Sequence, residues 1–525
     1  MTEHTVQEFQ IEGLNFVALR CGFGIDAGPV IADLRGPVLA PCVPRLPLLV
    51  ESPPLSLLAP TSVGDRVPTR PTPPSPRREI ARIAVPVSAE FVLTLVLQLV
   101  NQVIVGLLGA TAIAAVGFAN SLSMILVLTL GALGASVSIL VARAFGAGQQ
   151  DRLNRTVTAA LLLAGGAGIA AAVPLMLWGT SLLRLVGASR TVAATGGGYL
   201  GFLGLALVPI VVGGLLSGVL RSTGRARSPM VATMVTVGLN AALAFALVTG
   251  FGPFPQLGVV GAGVATLVTA TLKTTILAVQ LFGLHRIVAW ELPRTSAEWL
   301  PVARSLFVLA VPLGLTELFW TGGTFLYNVV FQQLGDAALA AAQIVNMLEA
   351  LFLVGSIGLM SATTALVGRE VGRGDAPAAA AWVRRITKVG AVSGVAFGLL
   401  YGSTALLLPV LFPHTDGEVR TMATVGIALY ALAQVVKVRN MILGAGVLPS
   451  ANDVRGVILG DVTGAFVVGL PLALVLGFST PLGFAGIFVA RVVEELVKVT
   501  IFSRRTDRVR WDDLATPSST PGLAG

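Results

Sequence analysis

Two carboxylates stand where a carboxylate is costly. Glu90 falls about ten residues into a long apolar run, and Glu317 about thirteen residues into another. At a rise of about 1.5 Å per residue, Glu90 would sit roughly 15 Å deep. An ionisable group in hydrocarbon costs at least about 2.5 kcal/mol, so each needs a partner or a task. A carboxyl reached by water from one side and then the other binds and releases protons as its surroundings change. The chemistry on offer is therefore ion coupling. Glu349 and Asp461, in later apolar runs, are candidates to line a cavity. Tyr327, Gln343 and Asn346 could add polar groups to it by position. Glu494 and Lys498 have the i,i+4 spacing of a local ion pair. Lys273 could serve as counter-charge to Glu90 or to a neighbouring helix. The sequence has no Walker A loop and no Ser-His-Asp order. Its two cysteines, Cys21 and Cys42, and its three histidines have no metal-ligand spacing. No enzyme activity, metal or cofactor is expected, which leaves an ion gradient as the energy source.

The elements that hold these groups are membrane spans. The 525 residues are 54% hydrophobic and only 12% charged, about half the charge of a soluble domain. Lipid must solvate most of that apolar surface. Twelve runs are long enough to cross a bilayer, which takes about 20 residues. They cover approximately 82–107, 112–142, 156–180, 190–218, 228–250, 258–284, 303–333, 338–367, 383–411, 418–444, 453–478 and 482–503. Ile83–Gly148 also aligns without a gap on Leu309–Gly374, at one offset of 226 positions (Pro86 to Pro312). Ala84-Val85-Pro86 falls on Ala310-Val311-Pro312, and Asn120 on Asn346. The Val-x-Arg-x-x-Gly-x-Gly of Val141–Gly148 falls on that of Val367–Gly374. The expected fold is all-α and polytopic, with twelve transmembrane helices in two pseudo-symmetric six-helix lobes. Two equivalent bundles around a shared cleft is a transporter's architecture.

Charge placement predicts orientation. Arg143, Arg152, Arg155, Arg221, Arg225, Arg227, Arg369, Arg373 and most other basic residues fall at one set of span boundaries. The other set holds only Arg184, Arg190 and Arg420. The positive-inside rule puts the first set, and both termini, in the cytoplasm. The net charge of +9 does not point to nucleic acid, because the basic residues lie in short loops between apolar runs. Residues 1–79 are rich in proline and read as a disordered cytoplasmic tail, or as sequence ahead of the true start. They lack the pattern of a signal peptide. The expected organisation is then a lobe over 80–290, a cytoplasmic linker over 291–302, a second lobe over 303–511 and a disordered tail over 512–525.

Several stretches resemble the multidrug and toxic compound extrusion (MATE) family. Pro86 with Val105-Gly106-Leu107-Leu108-Gly109-Ala110 resembles its first helix and exit, and Val141–Gly148 its turn after helix 2. Leu220–Pro229 is similar to the family's Leu-Arg-Gly-x-Gly-Asp-Thr-x-x-Pro, with Gly and Asp replaced. Phe251-Gly252-x-Phe254-Pro255-x-Leu257-Gly258-Val259 and the residues to Thr266 are the strongest match. The similarity covers roughly 80–511. It implies two six-helix lobes in a V, and export of amphipathic, often cationic compounds against inward H⁺ or Na⁺. It also ties an acid near Glu317 to coupling or substrate binding. Two expected acids are missing. The family's aspartate fifteen residues after the helix 1 proline is Asn101 here, and the acid four residues after Asn240 is Ala244. Asparagine cannot titrate, so coupling would pass to Glu317 or Glu90. Asn101, Asn240 and Thr266 would remain as hydrogen-bonding groups of the substrate cavity.

The leading expectation is a drug or metabolite antiporter of the plasma membrane, working as a monomer. A flippase for lipid-linked intermediates would need a strongly basic cavity, and basic residues within the spans are few. An uncoupled membrane scaffold is the third reading, motivated by the missing acids.

Overall fold

The structure is a computed structural model and describes residues 6–11, 14–19, 75–291, 296–413 and 415–515, with backbone only before Ser75, at 296–298 and at Ala515. It divides into two units, Met1–Thr72 and Pro73–Gly525. In the first, β1 (Val6–Ile11) pairs antiparallel with β2 (Leu14–Leu19), Phe9 opposite Phe16. Disorder was expected there on the strength of proline. The prolines begin only at Pro29, so they do not bear on these two segments. The rest of the expected tail lies outside the described residues.

The second unit is helical. The first lobe comprises α1 (Pro76–Gly106), α2 (Ala110–Gly146), α3 (Gln150–Leu185), α4 (Arg190–Ser222), α5 (Arg227–Thr249) and α6 (Val259–Leu284). The second comprises α7 (Ser296–Gln333), α8 (Asp336–Arg373), α9 (Ala376–Leu411), α10 (Gly417–Ser450), α11 (Val454–Phe478) and α12 (Gly483–Asp507). A short α13 (Trp511–Ala515) follows where a disordered tail was expected. Among the described residues, eleven helices are long and apolar enough to be membrane spans by length and composition. The twelfth, α12, carries Arg491, Glu494, Glu495 and Lys498 and is held by buried partners instead. α1 starts earlier than the boundary expected at residue 80, because Pro76 suits the first helical turn, where its missing N–H costs nothing.

The lobes meet through α1 and α2 on one side and α7 and α8 on the other. Ser88 Oγ on α1 donates to Val354 O on α8 at 3.2 Å, and a side chain at Gly358 would strike the Ala84 carbonyl. Small residues let the backbones approach where lipid supplies no hydrophobic drive. Among the described residues a π-helical turn ends α6 at Val279–Leu284, and two more interrupt α10 at Met441–Val447 and α11 at Thr463–Gly469. The last two lie in the second lobe beside its polar residues.

Candidate functional site

The first lobe buries one acid and surrounds it. Glu90 is 4% exposed on α1. Its Oε2 lies 3.2 Å from Arg221 Nη2 at the end of α4, and its Oε1 3.1 Å from Lys273 Nζ on α6. Thr233 Oγ1 on α5 donates to Oε1 at 3.4 Å. Four helices thus converge on one carboxylate. Lys273 is the counter-charge that position along the chain left undecided. Glu90, read as a coupling acid, sits between two cations in helix contacts.

Of the polar residues expected to form a first-lobe cavity, Asn240 and Thr266 meet through Thr269, whose hydroxyl also donates to the Thr266 carbonyl at 3.3 Å. Asn240, 1% exposed, donates from Nδ2 to Thr269 Oγ1 at 2.7 Å, a bond between α5 and α6. Thr266 donates to the Ala262 carbonyl of its own helix at 2.9 Å. Asn101 Oδ1 is buried and meets no partner among the described residues. Asn120 accepts from the Tyr199 hydroxyl at 2.9 Å.

The second lobe gathers its charges. A small, open cleft is lined by Phe319, Trp320, Tyr327, Asp461, Arg491 and Glu494, among others. Lys498 Nζ lies 2.6 Å from Glu494 Oε1 and 3.7 Å from Asp461 Oδ1, so one ammonium is shared by acids of α11 and α12. The Tyr327 hydroxyl donates to Glu494 Oε2 at 2.7 Å. The Arg491 guanidinium covers the Tyr327 and Tyr430 rings at 4.9 and 5.1 Å and donates to Asn346 Oδ1 at 3.3 Å. Lys437 pairs with Glu349 and also covers the Tyr430 ring. Asn440 Nδ2 donates to Glu495 Oε2 at 2.7 Å. The π-helical turn after Asp461 makes room for this. A side chain at Gly469 would strike the Tyr327 hydroxyl, and one at Gly464 would meet Lys498 Cγ at 2.7 Å. Such turns recur at functional sites because they displace one stretch of backbone against its neighbours.

Glu317 stands apart. It follows Pro312, as expected, and its side chain is exposed. Among the described residues it has no hydrogen-bond or ion-pair partner. On α7 it lies one turn before Trp320 and in line with Thr324, both cleft residues. Asp461 is close enough to act on it electrostatically. Of the expected cavity residues, Tyr327 and Asp461 line the cleft, while Asn346 and Glu349 do not line it and are bonded to Arg491 and Lys437. Gln343 is exposed and donates to Asn328 at 3.4 Å. Sequence reading counted Lys437 among the boundary bases, whereas it is buried against Glu349, and passed over Arg491 and Asn440. A signal existed for Arg491. With Glu494 and Lys498 it repeats at i, i+3 and i+7 along one stripe of an otherwise apolar helix.

Known proteins match this duplicated frame. The MatE family model matches twice, over residues 86–246 and 312–475, once in each lobe. The chain belongs to the MatE family. This MatE protein is 30% identical over 433 residues to a probable multidrug resistance protein NorM of Bradyrhizobium diazoefficiens, covering 78% of this chain and 89% of the relative. A probable NorM of Rhodopseudomonas palustris is 30% identical over 430 residues, covering 78% and 87%. Among solved structures, a MATE crystal structure in a bent conformation superposes with a TM-score of 0.76. It is 20% identical and covers 84% of this chain and 97% of that one, a likeness of fold alone. The MatE chain is thus a multi-pass membrane transporter, and its family is one of transporters rather than enzymes.

Proposed function

We propose that this MatE protein exports amphipathic cations from the cytoplasm in exchange for H⁺, with Glu317 as the coupling carboxyl. The observation that carries this is Glu317 itself, an unpartnered acid on the helix that lines the second-lobe cleft, beside Asp461. The surrounding charges favour a cation. Asp461, Glu494 and Glu495 line the cleft with Arg491 and Lys498, three acids against two bases, and Glu317 on the same helix as Phe319 and Trp320 adds an acid without a partner among the described residues. Phe319 and Trp320 offer aromatic faces to an organic cation. Each base already stands against acids or rings, which leaves little for the phosphate of a lipid-linked intermediate.

H⁺ is preferred over Na⁺ because Lys498 already holds the position between Glu494 and Asp461 that a metal cation would need. Exchange then follows from competition. A proton on Glu317 lowers the cleft's hold on a cationic substrate, and loss of that proton restores it. The proton drives transport only if it binds the outward and inward states with different affinity. The Arg-rich boundaries support a cytoplasmic location for that face and for both termini, in the plasma membrane. NorM relatives carry multidrug resistance in their names, which supports a broad range of amphipathic substrates.

The test is dye efflux from everted vesicles, with a proton gradient and a sodium gradient imposed separately. Wild-type protein should respond to protons, and Glu317→Gln should lose that response. Efflux driven only by sodium would replace the ion. Undiminished proton-driven efflux in Glu317→Gln would remove Glu317 from the mechanism.

A further inference from the structure

The repeated Val-x-Arg-x-x-Gly-x-Gly motif contributes nothing to the cleft, yet its arginines and first glycines meet across the lobes. α4 and α10 end in the same way. Arg225 N bonds Leu220 O at 2.8 Å and Gly224 N bonds Arg221 O at 3.0 Å. In the other lobe Asp453 N bonds Leu448 O at 2.9 Å and Asn452 N bonds Pro449 O at 3.1 Å. Both turns pass through a left-handed residue, Gly224 (φ 88°) and Asn452 (φ 62°). This helix ending satisfies two of the last carbonyls and leaves the final helical residue's carbonyl without a partner. Those residues are Ser222 and Ser450.

Each of these carbonyls is taken by an arginine of the opposite lobe. Arg369 Nε on α8 donates to Ser222 O at 2.9 Å, and Arg143 Nη2 on α2 donates to Ser450 O at 2.5 Å. The two arginines are repeat equivalents at the offset of 226 positions (Arg143 to Arg369). Their charges sit at the negative ends of the two helices, where a cation is favoured. Arg369 also lies over the Phe145 ring of the first lobe at 5.4 Å. The glycines complete the exchange. A side chain at Gly146 would collide with the Arg369 carbonyl, and one at Gly372 with the Arg143 carbonyl. Each lobe thus supplies one arginine and one glycine and receives the same from its partner.

We propose that Arg143 and Arg369 form a crossed latch that holds the Arg-rich face of the two lobes shut, and that substrate loading from that face requires both caps to release. The placement of that face in the cytoplasm rests on the proposed function; the latch itself does not. Because the two caps share the α2–α8 contact, loosening one should loosen the other.

Maleimide labelling tests this without any transport step, so a protein that exports no dye still reports on the latch. Cys21 and Cys42 are replaced by serine and Ser450 by cysteine. Ser450 is fully buried and its hydroxyl has no partner among the described residues, so the new thiol is a mild change. An impermeant maleimide is applied to everted vesicles. Labelling should be slow in this background and at least tenfold faster in Arg369→Ala, although Arg369 caps the other helix. Arg369→Lys should fall between. Gly372→Ala, which wedges the contact rather than removing a donor, should also speed labelling and serves if an arginine variant does not fold. A rate within twofold of background in Arg369→Ala or in Gly372→Ala overturns the latch. Labelling confined to right-side-out vesicles would overturn the assignment of the loading face.

Discussion

Lys273 Nζ lies 3.1 Å from Glu90 Oε1, and the sixth helix of the first lobe is thereby tied to the first. In the second lobe the corresponding helix also carries a lysine, Lys498, but it turns to Glu494 and Asp461 and leaves the acid of α7 free. One duplicated frame therefore holds a neutralised carboxylate in one half and an available one in the other. That difference separates a tie between helices from a candidate for coupling.

Glu90→Gln should destabilise the protein. It leaves Arg221 and Lys273 without their shared acid, and losing one member of a buried pair costs about 3–5 kcal/mol. Their side chains retain 18% and 26% of their exposure, so water screens part of the loss and about 2 kcal/mol is expected. Thermal unfolding in detergent measures it. Adding Lys273→Met should recover part of the loss. Unchanged stability in Glu90→Gln would break the tie.

Glu317→Gln should behave oppositely. With no partner to lose, its stability should stay within about 0.5 kcal/mol of wild type. Proton-driven efflux should fall at least tenfold. A Tm drop as large as that of Glu90→Gln would mean that Glu317 is structural.

Asn240→Ala should leave efflux intact. It removes the bond to Thr269, and interhelical bonds of this kind average about 0.6 kcal/mol in membranes. A small fall in Tm with unchanged dye affinity is the expected pair of readings. Loss of dye binding at full stability would return Asn240 to the substrate site.

Tyr327→Phe removes the hydroxyl that Glu494 accepts from at 2.7 Å, a bond to a charged group worth about 1.5–3 kcal/mol. The ring that Arg491 covers remains. Stability should fall, while equilibrium affinity for a cationic dye changes less than threefold. Gly469→Ala, which drives a methyl group into that hydroxyl, should cost more than Tyr327→Phe and should be partly rescued by it. Additive losses in the double variant would show that the methyl group and the hydroxyl do not compete.

Length, apolar runs and the offset repeat were enough to establish membrane helices in two equivalent lobes. These are properties of a chain read locally, since a span needs only enough apolar residues in succession. The repeat also marked Arg143 and Arg369 as equivalents, and family resemblance pointed to transport. Tertiary structure alone decided which charge meets which. Glu90 and Lys273 are 183 positions apart, and their contact depends on how each helix is rotated about its axis in the bundle. Asn120 and Asn346 are the same residue at the same repeat position, yet one accepts from Tyr199 and the other from Arg491. Apolar periodicity is blind to that rotation, because lipid-facing and packed residues of a membrane helix are alike in character. Close packing between distant helices sets the rotation, and with it the partner of every buried charge.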